Sequence, residues 1–94
     1  MVLETFPFDP AEYLGDPDAQ AELIADALST GNAAYVAHAL GIVARARGMS
    51  QLAKDTGMSR ESLNKALSAQ GNPELATVLR VAAALGLKLT AEAA

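Results

Sequence analysis

Glycines, prolines and short polar cap residues punctuate this chain so regularly that it can fold only as a series of short helices. In "DPAE", Asp9 is placed to cap a helix, Pro10 to occupy its first position and Glu12 to close a capping box, with a stop near Gly15. "GDPDAQAELIADALSTG" repeats the signal, with Asp16 as cap, Pro17 next and Gly31 at the end; Leu23, Ile24, Ala27 and Leu28 form an apolar stripe at helical spacing. Asn32 caps a third helix from about Ala33 to Ala46 that turns Tyr35, Val36, Ala39, Leu40 and Val43 inward and closes at Gly48. Ser50 caps a short fourth helix through Thr56, and Ser59 a fifth to about Ala69. In "GNPEL", Asn72 caps a sixth helix, Pro73 opens it and Glu74 favours its positive end. Val78, Leu79, Val81, Ala82 and Leu85 are the apolar face of that helix, and Gly86 ends it. The alternation in "LKLT" predicts a short strand or an extended arm.

Ninety-four residues suit one small domain with a marginal core. Half the residues are hydrophobic, but they are mostly Ala and Leu, both good helix formers. With no cysteine there is no disulfide framework or thiolate metal site. The start "MVLETFPFDP" lacks the basic and apolar regions of a signal peptide, and no apolar run nears a membrane span. The expectation is a soluble cytoplasmic protein. His38 is the single histidine, so no zinc site is expected and the side chain is read as partly exposed on the third helix. Asp9 with Glu12, and Asp16 with Asp18, resemble acid/base pairs, but capping accounts for them better. No catalytic triad, phosphate loop or dinucleotide fingerprint is present, and the expectation is a non-enzyme needing no cofactor.

The stretch "AKDTGMSRESL", residues 53–63, breaks one helix at a glycine and restarts another at once. Ala53 is small enough for two helices to cross over it. Gly57 suits a helix end with positive φ. Leu52, Met58, Leu63 and Leu67 supply the core between the helices. Ser59 caps the second helix, which leaves Arg60, Glu61, Asn64 and Lys65 projecting from its first half. In a DNA-binding helix-turn-helix that half enters the major groove. Arg and Lys suit guanine edges and phosphates, Asn suits adenine, and Glu accepts from cytosine. The plainer alternative is an αα-hairpin with a polar solvent face.

Charge is divided along the chain. Residues 1–44 hold seven acids and no Lys or Arg; residues 45–94 hold seven bases against four acids. Two binding surfaces of opposite sign are one reading and solvated helix starts the other. The overall charge of −4 does not forbid DNA binding. At 0.1 M salt charges are screened beyond about 10 Å, so the groove senses the local face with Arg60, Lys65 and Lys54. A single such module reads few base pairs, so a homodimer on a palindrome with half-sites about 34 Å apart is expected.

"GMSQLAKDTGMSRESLNKALSAQGNPELATVLRVAAALGLKL" resembles the helix-turn-helix core of the lambda-repressor-like class. Upstream, "FDPAEYLGDPDAQAELIADALSTGNAAYVAHALGIVARARGMS" resembles the addiction-module antidote family of HigA-like prophage antitoxins. The resemblance runs from about Phe6 to Thr90. It implies an all-α fold: a small five- to six-helix lambda-repressor-like DNA-binding domain (33–90), an acidic N-terminal helical extension (1–32) packed on it, and a tail (91–94). It further implies an antitoxin of a type II toxin–antitoxin module. Such a protein binds and neutralises a small basic toxin of the RelE/ParE-like (HigB-type) class and represses its own operon. By position, the recognition helix is Ser59 to Ser68, with Ser59, Arg60, Glu61, Asn64 and Lys65 as DNA-binding residues beside Lys54. Ser50 lies only three residues before Ala53, so the first helix of the motif is expected to be short. The phosphate-contacting Gln usual at its start has a shifted counterpart in Gln51.

The acidic residues Asp9, Glu12, Asp16, Asp18, Glu22 and Asp26, with no base among them, are the expected contact for a basic toxin. The sixth helix and the "LGLKLT" tail are the expected homodimer surface. Two other functional readings stand beside this one: a stand-alone helix-turn-helix regulator, and a protein-interaction module that has lost DNA binding.

Overall fold

The computed structural model describes residues 16–68 and 70–94. The expected first helix, with its Asp9 cap and Glu12 capping box, lies outside the described residues. Those residues form five helices: α1 (Pro17–Ser29), α2 (Ala33–Arg47), α3 (Met49–Thr56), α4 (Arg60–Ala66) and α5 (Leu75–Ala84). Among them there is no strand, and residues 87–94 run without regular structure, so "LKLT" is an arm rather than a strand. The fold is all-α, as the punctuation predicts. Among the described residues no helix is long and apolar enough to cross a membrane.

Three helices begin where a side chain caps them. Asp16 Oδ1 accepts the Asp18 N–H at 3.1 Å, and Pro17 follows at the first position of α1. Asn32 Oδ1 accepts the Tyr35 N–H at 3.1 Å. Ser59 Oγ accepts the Ser62 N–H at 3.0 Å. Each bond satisfies one amide that the first helical turn leaves without a partner.

The other two starts correct the sequence reading. Ser50 does not cap α3; it lies inside the helix, and Gly48 is both the last cap of α2 and the first of α3, with no side-chain bond. The Leu52 N–H reaches the Gly48 carbonyl at 3.1 Å, so the helix gains its first turn from the backbone and spans eight residues. Asn72 and Pro73 stay outside α5, whose cap is Glu74; the Val78 N–H bonds the Glu74 carbonyl at 3.0 Å. Asn-Pro serves a turn as well as a helix start, and here it serves the turn. Glu74 still sits at the positive end of the helix dipole. The predicted recognition helix, Ser59 to Ser68, is likewise shorter in the structure. It ends at Ala66, where Ser68 Oγ donates to the Lys65 carbonyl and the Gly71 N–H to the Ser68 carbonyl, and the chain turns away.

One core joins all five elements. Ile24 and Ala27 of α1 meet Ala39, Leu40, Val43 and Ala44 of α2, Leu52 of α3, Leu63 and Leu67 of and just after α4, and Val81 and Leu85 of and just after α5. Ala53 and Met58 pack against this cluster half-buried, as the crossing of α3 and α4 requires. Three expected inward side chains lie outside it. Tyr35 is 45% exposed, Leu79 49% and Leu28 40%. At 100° per residue Leu79 stands about 100° round from Val78, while Val81, Ala82 and Leu85 cluster near it. The apolar arcs of these helices are wider than the arcs they bury. His38 is exposed on α2.

Candidate functional site

α3, the turn Gly57–Ser59 and α4 form the unit that carries the projecting polar residues. Gly57 ends α3 in the left-handed conformation, φ 74° and ψ 13°, and its N–H closes on the Ala53 carbonyl at 2.9 Å. A side chain would be strained there. Thr56, which the sequence reading passed over, ties the turn together. Its buried hydroxyl donates to the Leu52 carbonyl at 2.8 Å and accepts the Met58 N–H at 3.3 Å. The only sequence signal was a hydroxyl residue next to a helix-ending glycine.

α4 is held from beneath by Leu63 and, just past its end, Leu67, both fully buried. At 100° per residue, Glu61 and Lys65 fall on the side opposite Leu63, four residues apart, while Arg60 and Asn64 share a neighbouring face. All four are exposed. Ser59 is exposed too, and its Oγ donates to Ser62 Oγ at 2.9 Å while accepting the Ser62 amide. On α3, Lys54 and Gln51 are exposed; Gln51 Nε2 donates to Asp55 Oδ1 at 2.9 Å. Lys54 adds a positive charge in the last turn of α3, where the dipole favours it. The pair of helices thus presents Arg60, Lys65 and Lys54 against Glu61 and Asp55.

The expected toxin contacts are divided. Asp9 and Glu12 lie outside the described residues. Asp16, Asp18, Glu22 and Asp26 are all exposed on or at the start of α1. Asp16 is occupied as the cap, while Asp18, Glu22 and Asp26 recur every fourth residue along one side of the helix.

Two more residues outside the sequence reading shape the site. Gly41 lies in α2 where a Cβ would run into the Leu67 carbonyl oxygen, so α4 ends against bare backbone. Arg47 Nη2 donates to the Leu85 carbonyl at 2.6 Å and ties the end of α2 to the end of α5. Such pairings, the second of them 38 positions apart, have no local signature.

Residues 4–93 match the family described as "Probable addiction module antidote protein". The chain belongs to that family. It is also similar to an uncharacterized protein of Haemophilus influenzae (strain Rd), 47% identical over 81 residues, covering 86% of this chain and 84% of the relative. No solved structure matches. An antidote of an addiction module implies a toxin as partner.

Proposed function

We propose that the chain is the antitoxin of a type II toxin–antitoxin module, acting by binding rather than catalysis. It neutralises a RelE/ParE-like (HigB-type) toxin and represses its own operon as a homodimer with a lambda-repressor-like helix-turn-helix. The observation that carries the DNA-binding half is the placement of α4. Its base is buried through Leu63, its start is capped by Ser59, and Arg60, Glu61, Asn64 and Lys65 stand free on its surface. In this reading Arg60 and Asn64 address base edges, Glu61 accepts from a cytosine, and Lys65, Ser59, Lys54 and Gln51 hold phosphates. A two-fold dimer sets two such helices in successive major grooves about 34 Å apart. The toxin is met by the acidic side, through Asp16, Asp18, Glu22 and Asp26.

Fluorescence anisotropy against the DNA upstream of the gene tests the first half. Arg60→Ala and Lys65→Ala should each weaken operator binding by about 1–3 kcal/mol, with the salt slope falling by about one for whichever contacts phosphate. Unchanged affinity in both would leave a protein-interaction module without DNA binding. Operator binding with no toxin captured from the neighbouring gene would leave a stand-alone regulator.

A further inference from the structure

A groove of about 560 Å³ lies between α1 and the C-terminal residues 87–94. One wall is the Ala21, Ile24, Ala25 and Leu28 side of α1; no residue of α3 or α4 lines it. The other wall is the arm. Leu87 and Leu89 pack half-buried against the core, while Lys88 and Thr90 are exposed, so alternate leucines anchor an extended chain. Among the described residues, the arm's last backbone bond to the fold is Leu87 N–H to the Ala82 carbonyl at 2.8 Å. Beyond it, among the described residues, no amide or carbonyl of the arm makes a backbone bond. The rim on α1 is acidic. At 100° per residue, Asp18 and Glu22 stand about 20° and 60° round from Ala25, with Asp26 beyond, and α1 carries no base.

We propose that this groove receives a basic, extended segment of the toxin, which rests on the antitoxin reading above. The segment adds to the arm by main-chain hydrogen bonds, the way extended peptides add to a free strand. Its apolar side chains lie on Ala25 and Leu28, and its Lys or Arg residues meet Glu22 and Asp26. A second copy of this chain fits worse. A two-fold contact sets a patch against itself, and here the acids of α1 and Glu92 would face mostly acids, with Lys88 the one base lining the groove. The groove shares no residue with α4, so operator and toxin can be held together.

The test uses the full chain and the protein encoded by the adjacent gene, co-purified and then separated. Ala25→Trp fills the groove from an exposed position and should weaken toxin binding about tenfold or more. The pair Glu22→Lys and Asp26→Lys should slow association severalfold at low salt, with the effect fading as salt rises. A chain ending at Leu89 should lose affinity as well. Operator binding should be unchanged by Ala25→Trp. If toxin affinity and association stay at the wild-type level in all three, the groove is not the docking site, although the antitoxin reading survives. A change in oligomeric state by light scattering, without a change in toxin binding, assigns the groove to a second copy and overturns the proposal. Failure of the unaltered chain to bind the toxin removes the antitoxin reading itself.

Discussion

Gly41→Ala should destabilise this protein although helix propensity alone says the opposite. Glycine inside a helix costs about 0.5–1 kcal/mol relative to alanine, and Gly41 lies well inside α2. The added Cβ would meet two neighbours: Arg45 Nη1 at 2.6 Å and the Leu67 carbonyl oxygen, closer still. Arg45 is exposed and its guanidinium can swing aside. The carbonyl belongs to the residue that caps α4, so it moves only if the end of α4 moves. Ordinary carbon–oxygen approach is about 3.3–3.6 Å, which requires a shift on the order of an ångström in a close-packed interior. Overpacking of that kind costs about 1–3 kcal/mol. Net of propensity, a loss of about 1 kcal/mol is expected, which for a domain of this size lowers Tm by about 4–8 °C. Thermal denaturation followed by circular dichroism measures it. The double variant with Arg45→Ala separates the two neighbours, since relief of the Arg45 contact alone should not restore stability. A Tm for Gly41→Ala at or above that of the unaltered chain would refute the close approach of α2 to α4.

Thr56→Val keeps the volume of a buried side chain but removes the hydroxyl that serves Leu52 and Met58. It should cost about 1–2 kcal/mol in urea denaturation, and an unshifted midpoint would show that the turn does not depend on it. Ser59→Ala should lose about 1 kcal/mol with the cap. Ser59→Asp should keep the cap but weaken operator binding, because it sets a carboxylate among phosphates; equal affinity of Ser59→Asp and the unaltered chain would place Ser59 away from DNA. Arg47→Ala removes the bond to the Leu85 carbonyl, a charge-assisted contact that is partly exposed. The loss should be about 1 kcal/mol, seen as faster amide exchange at the end of α5.

What could be read in the sequence follows how each helix begins. α1, α2 and α4 start at Asp16, Asn32 and Ser59, whose side chains bond the first turn, and a cap of that kind is written in one residue. α3 and α5 start at Gly48 and Glu74, where backbone bonds alone do the work. Ser50 and Asn72, good caps by type, drew the expected starts away from them. Inward faces were legible where apolar residues sit near the centre of the helical arc, as at Val81, Ala82 and Leu85. They were not where an apolar residue sits at the edge of the arc, as with Leu28, Tyr35 and Leu79. The exposed residues of α4 were legible because Ser59 sets the phase of the helix. The residues that hold α4 in place, Gly41 and Thr56, were not, since each acts through the backbone or a partner elsewhere in the chain.

The two charged surfaces share one support. α1 rests on α2 through Ile24 and Ala27, and α4 ends against α2 at Gly41. α2 also contributes Ala39, Leu40, Val43 and Ala44 to the core, more than any other helix. A core this small has no second layer to absorb a change in α2, because small domains bury too little surface to spare any. Substitutions that enlarge or empty the inner face of α2 must therefore disturb the acidic side and α4 together. Substitutions on the outer faces of α1 and α4 meet no shared neighbour and should act independently, since distant sites without common partners add. Under the proposed function, that separation would let the acidic side of α1 and the basic residues of α4 serve different partners, since at 0.1 M salt exposed charges are screened beyond about 10 Å.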